Sequence, residues 1–112
     1  MPLLQITTNV SVDDTAALAK AASRLTAGLL SKPESYVMVH INAGAVLWFA
    51  GSDEPAAHLK LKSLGLPEAN TGKYSAALCD FIEQHLNVQP GRIYIEFSGP
   101  QRHLWGWDSG TF

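Results

Sequence analysis

Charge and cysteine are both scarce in this sequence. Charged residues make up 16% of its 112 positions, against about 25% in a typical soluble domain. Ten acids and eight bases leave a formal charge of −2, and the longest basic cluster is the Lys-Leu-Lys at Lys60 to Lys62. That distribution offers nothing to a phosphate backbone, so nucleic-acid binding is not expected. The single cysteine, Cys79, excludes an internal disulfide framework and suits a reducing compartment.

Long hydrophobic runs are missing too. The most apolar stretch, "YVMVHINAGAVLWFAG", is too short to span a bilayer and is broken at Asn42-Ala43-Gly44. The first residues lack the basic segment, apolar core and small-residue cleavage site of a secretory leader. The expectation is a soluble, cytoplasmic protein with no membrane partner. His40, His58, His85 and His103 show no paired ligand spacing and have no cysteine partners, so no metal site is expected. Neither a phosphate-binding loop nor a dinucleotide fingerprint occurs, and no cofactor is implied. Cys79 has no histidine–acid arrangement around it and reads as a small apolar residue.

What the chain does have is apolar residues, 46% of the total. A domain of this size with so few charges cannot cover its surface with polar groups. Part of the apolar surface is therefore expected in a subunit interface.

The order of elements reads as one unit used twice. Leu3 to Thr8 reads as a strand. Ser11 and Asp14 resemble a capping box, and Leu18, Ala22, Leu25 and Leu29 recur at helical spacing, predicting a helix over roughly 13–30. Pro33 follows, and then the strand "YVMVHI". In the second half "LKLKSL" alternates as a strand. "NTG" opens a helix with Tyr74, Ala77, Leu78, Phe81 and Ile82 on its apolar face, Pro90 follows, and "RIYIEF" is a strand. A shift of 57 residues aligns Pro33 with Pro90, Tyr36 with Ile93 and Asp13 with Asn70.

The fold class predicted is α+β, a single domain over 1–112 with pseudo-repeat units at about 1–50 and 51–112. A tandem β-α-β repeat would build a four-stranded mixed sheet with right-handed crossovers and two antiparallel helices on one face. Both alternating sets of "YVMVHI" are largely apolar, so the other face needs cover, most economically from another subunit. "VLWFAG" reads as an extra edge or interface strand. "RHLWGWDSGTF" reads as a docked aromatic tail.

Three residues carry candidate chemistry. Pro2 reads either as a strand-edge proline or, once Met1 is trimmed, as a secondary-amine general base. Lys32 reads as a cation at a helix C-terminus or as a holder of a substrate carboxylate near Pro2. Tyr94 reads as an ordinary strand tyrosine or as a hydrogen-bond or proton donor. Tyr36, Trp105, Trp107 and Phe112 fit core, interface or pocket wall.

Proline at position 2 before a strand, "KP..Y" at Lys32 to Tyr36, "VHI", "SLG", the repeat and the terminal "GWDSGTF" together resemble the family of macrophage migration inhibitory factor and D-dopachrome tautomerase, in the tautomerase superfamily. The resemblance spans essentially the whole chain. It implies a homotrimer with active sites between subunits, Pro2 as base and Lys32 as carboxylate binder. It further implies a backbone contact from Leu64, Tyr94 arriving from the neighbouring subunit, and aromatic walls from Tyr36, Trp107 and Phe112.

Three departures stand out. Ala56 and Leu59 replace the cytokine's Cys-x-x-Cys pair, so its thiol oxidoreductase activity is not expected. Glu96 replaces a pocket asparagine, where a carboxylate would repel an anionic substrate or raise the pKa of Pro2. Trp105 replaces a smaller aliphatic residue and would narrow the site.

The activity implied is cofactor-free keto–enol tautomerisation of phenylpyruvate-like aryl α-keto acids, with dopachrome as a possible side substrate. The alternatives are a cytokine-like signalling or binding protein, exported without a signal peptide, and another superfamily reaction such as decarboxylation or hydrolytic dehalogenation. The latter use extra pocket arginines, for which Arg92 and Arg102 are the late candidates.

Overall fold

Alternation along the first strand decides which face of the sheet is covered. In the computed structural model, which describes all residues from Met1 to Phe112, β1 (Pro2–Thr8) buries Pro2, Leu4, Ile6 and Thr8 and leaves Leu3, Gln5 and Thr7 on the other side. It is followed by α1 (Thr15–Leu30), β2 (Met38–Asn42), β3 (Ala57–Ser63), α2 (Thr71–Leu86) and β4 (Ile93–Ser98). The sheet order is β2-β1-β3-β4. β1 runs parallel to β2 and antiparallel to β3, and β3 runs parallel to β4. This is the expected mixed four-stranded sheet of two β-α-β units.

Both helices present one apolar stripe to one core. Leu18, Ala22, Thr26 and Leu30 of α1 are buried, as are Tyr74, Leu78, Phe81, Ile82 and Leu86 of α2. They meet Leu4, Ile6, Leu59, Leu61 and Ile93 from the sheet. Full burial of each leucine, isoleucine or phenylalanine among them contributes about 1.5–3 kcal/mol. Polar groups in the core are partnered: Thr8 donates to the Ala56 carbonyl at 2.8 Å and Thr26 to the Ala22 carbonyl at 2.8 Å.

Several details differ from the sequence expectations. Asp14, not Ser11, caps α1, its carboxylate accepting from the Ala17 N–H at 2.9 Å. The side chain one residue before the first helical position is the one that reaches the open N–H groups. The two helices start at Thr15 and Thr71 and end at Leu30 and Leu86, one residue short of the shift that aligns the prolines. The reason is local: Pro33 precedes the 3₁₀ turn Glu34–Tyr36, whereas Pro90 is the first residue of the turn Pro90–Arg92. "VLWFAG" forms no strand within the chain. Its only bridge is the tight turn closing Phe49 on Ser52. The uncovered sheet face is also more polar than β2 alone implied, since Gln5, Thr7, His58, Lys60, Lys62 and Glu96 share it with Met38 and Tyr94.

Arg92 holds the irregular connection between β2 and β3. Its guanidinium donates to the carbonyls of Pro55 at 2.9 Å, Phe49 at 3.0 Å and Glu54 at 3.0 Å, with a longer contact to Ser52 at 3.5 Å. It also lies 5.2 Å from the Phe49 ring centroid. A planar fork serves several carbonyls at once, which a lysine cannot do. Arg92→Ala is therefore expected to lower the unfolding free energy by about 1–3 kcal/mol, with Arg92→Lys recovering less than half. Urea denaturation measures both, and an unshifted midpoint for the alanine variant would contradict this role.

Candidate active site

Three chain segments end together at one end of the sheet. The antiparallel register sets Pro2 opposite Ser63, so the chain terminus lies beside the end of β3. Gly65, at φ +63, turns the chain there, a conformation that glycine adopts without the penalty of a Cβ. The third segment is the end of α1. Ser31 takes the left-handed conformation (φ 52), and the N–H groups that follow the helix close on Ala27 and Gly28. That cap turns Lys32 toward the sheet, where its Nζ donates to the Leu64 carbonyl at 3.3 Å.

A cavity of about 520 Å³ opens over this junction, lined by Met1, Lys32, Pro33, Tyr36, Leu64, Gly65, Arg102, Trp107 and Phe112. The volume falls within the range of small-molecule sites, roughly 300–1,000 Å³. The last segment of the chain forms its aromatic side. A 3₁₀ turn (Arg102–Leu104) leads into a hairpin of β5 (Gly106–Trp107) and β6 (Gly110–Thr111). The Phe112 N–H returns to the Trp105 carbonyl at 3.2 Å, and the Trp107 and Phe112 rings stack with centroids 6.0 Å apart.

The electrostatics of the cavity favour a neutral amine. The terminal amine in this structure belongs to Met1, and burial first, then the Lys32 ammonium, draws its pKa below the ordinary value of about 7.7–8.0. Pro2 lies directly beneath, its ring fully buried. Trimming Met1 would free the Pro2 nitrogen at this same end of β1. No aspartate or glutamate side chain lines the cavity. Cys79 lies elsewhere, on α2, and burial pushes its thiol pKa up despite a hydrogen bond with Ser75.

The residues singled out in the sequence divide into two groups. Lys32, Tyr36, Leu64, Trp107 and Phe112 meet around one cavity with the N-terminus. Tyr94, Glu96 and Trp105 do not line it within the single chain. Tyr94 is 65% exposed on the uncovered sheet face and packs edge-on against Phe49 at 4.9 Å. Glu96, on the same face, pairs with His58 at 2.5 Å and neighbours Lys60 across the β3–β4 ladder. Trp105 lies under the Lys62 ammonium at 5.7 Å. Of the two late arginines, Arg92 is the loop clamp described above and Arg102 lines the cavity. Sequence reasoning could place neither, because Arg92 recognises distant carbonyls and Arg102 arrives only when the tail folds back.

Matching against known families covers residues 1–112 with one description, macrophage migration inhibitory factor. The chain belongs to this family. The family's homolog in Trichinella spiralis is 37% identical over 114 residues, covering 100% of both chains. Its solved structure superposes with a TM-score of 0.92 at 35% identity, over 98% of this chain and 99% of that one. The family's homologue from Prochlorococcus marinus superposes with a TM-score of 0.93 at 38% identity, over 98% of each chain. Membership places the protein among tautomerase-related folds, with the isomerase class as its coarse assignment.

The amine's environment can be tested without a substrate. In protein retaining Met1, Lys32→Ala removes a like charge that disfavours the ammonium, so the amine pKa must rise. Burial persists, so it must stay below that of a solvated α-amine. Titration of the amine by NMR, or its acylation rate against pH, reads both. A pKa unmoved by Lys32→Ala would remove the lysine from the site's electrostatics.

Proposed function

We propose that this chain is a cofactor-free keto–enol tautomerase for aryl α-keto acids of the phenylpyruvate type, with Pro2 as its base once Met1 is removed. The observation that carries the proposal is the convergence of the N-terminus, Lys32 and an aromatic wall on one cavity whose only charged side chains are cations. A secondary amine left neutral by burial and a neighbouring cation is suited to taking a proton from carbon near neutral pH.

In this reading the Lys32 ammonium holds the substrate carboxylate, and Tyr36, Trp107 and Phe112 hold the ring. The Pro2 nitrogen takes a proton from the carbon beside the ketone. The C–H electron pair becomes the C=C bond of the enol, and the carbonyl π pair moves to oxygen, which is protonated by Tyr94 or water. Return of the proton to carbon regenerates the ketone. Base catalysis of this kind contributes about 10²–10⁴-fold, and fixed orientation adds to it.

Tyr94 requires a second copy of the chain in this scheme. The strands β2 and β4 are open edges, the sheet face carrying Tyr94 is uncovered, and Trp48 and Val46 are 72% and 98% exposed. Unpaired edges and exposed apolar groups are ordinarily covered in a stable protein, and a homotrimer with sites between subunits would cover these.

Two measurements test the reading. With Met1 shown by mass spectrometry to be absent, the protein should tautomerise phenylpyruvate, and Pro2→Ala or Pro2→Gly should lower kcat/KM by about 10²-fold or more. Unchanged activity in the substituted proteins rules out the proline base. No activity in the processed wild type favours a signalling or binding role instead. For the shared site, Lys32→Ala and Tyr94→Phe chains, each weak alone, should regain activity when co-refolded, because some mixed sites then carry both native residues. No gain on mixing would place Tyr94 outside the site.

A further inference from the structure

The cavity holds a second cation that the proposed chemistry does not use. Lys32 and Arg102 both line it, and no aspartate or glutamate does. The two differ in setting. Lys32 is half-buried at the end of α1 and anchored on the Leu64 carbonyl. Arg102 is exposed on the 3₁₀ turn before the aromatic hairpin. Its guanidinium has no hydrogen-bond or salt-bridge partner, whereas that of Arg92 reaches four carbonyls.

Two cations facing one cavity repel each other, and an anion that enters relieves that repulsion at whichever cation it reaches. A monoanionic keto acid held by Lys32 leaves the guanidinium without an anionic partner. A planar guanidinium with free donors is matched best by a carboxylate, which can accept two parallel hydrogen bonds. Tyr36, Trp107 and Phe112 line the same cavity as the two cations, and their flat surfaces suit an aromatic spacer.

We propose that Arg102 is a specificity determinant and that the preferred substrate is dianionic: an aryl α-keto acid with a second carboxylate on the ring, its keto-acid end at Lys32 and its distal carboxylate at Arg102. This rests on the tautomerase reading for the reaction, but not for the binding preference. The substrate's two ends are read by different elements, the end of α1 and the C-terminal tail. Discrimination among aryl keto acids therefore resides in the tail.

The test uses the Met1-processed protein and three substrates: phenylpyruvate, 4-carboxyphenylpyruvate and the 4-methoxycarbonyl analogue, which keeps the shape of the second but not its charge. Wild type should favour the carboxy compound over the ester analogue by about tenfold in kcat/KM, the size of a charge-assisted contact discounted for exposure. Arg102→Ala should abolish that preference, acting on KM, and leave phenylpyruvate within about twofold. Arg102→Lys should restore part of it, since a point charge replaces the fork. Arg24→Ala removes the same charge from the exposed side of α1 and should change neither ratio.

Equal loss on all three substrates in Arg102→Ala, or no preference for the carboxy compound in wild type, overturns the proposal. Isothermal titration calorimetry with the same compounds separates this failure from failure of the tautomerase reading. Dianion binding that depends on Arg102 without turnover would retain the specificity site and reject the reaction. Turnover without that dependence would do the reverse.

Discussion

The antiparallel pairing of β1 with β3 is the constraint on which the candidate site depends. With Pro2 opposite Ser63, the chain terminus, the Leu64 carbonyl and the end of α1 meet at one end of the sheet. A slip of one residue would turn Pro2 to the uncovered face and expose Leu4 and Ile6, both almost completely buried. The register is thus enforced by the hydrophobic core, and the position of the N-terminus follows from it. The site's geometry is a by-product of burying one face of one strand correctly.

The two faces of the sheet do different work. The helix-covered face supplies stability. The other is a field of ionisable and polar side chains, in which Glu96 pairs with His58 and lies across the ladder from Lys60. A carboxylate on that face is held by its own neighbours, so its influence on an anionic substrate depends on what a second copy of the chain brings against it. The cavity at the sheet end, by contrast, has Lys32 and Arg102 as its charged side chains; burial, and then Lys32, depresses the amine there, while both cations attract anions.

Much of this was legible in the sequence because it is periodic. Leu18, Ala22, Tyr74, Leu78, Phe81 and Ile82 lie at helical spacing and are buried where that spacing puts them. The four main strands follow from alternation and from the prolines between elements. What could not be read was contact across long sequence separations. Asp14 and Ser11 are equally good caps until backbone dihedrals choose between them. The short apolar run of "VLWFAG" matches a strand, but a strand needs a free edge at the right place, and within the chain that segment is fixed by Arg92 instead. Arg102 carries no local signature, since only the folded hairpin at Trp107 and Phe112 brings its turn to the N-terminus.

The central claim is that a neutral terminal amine at Pro2 is the reacting group. The most direct test is a single comparison on processed protein: the ¹⁵N titration of the Pro2 amine beside the pH profile of kcat/KM for phenylpyruvate. Burial and Lys32 both disfavour the ammonium, so the account predicts an amine pKa lowered from that of a solvated proline. The rate should rise with pH through that same value, because only the neutral amine accepts the proton. A rate profile whose ascending limb lies at a different pH from the amine's titration would contradict it.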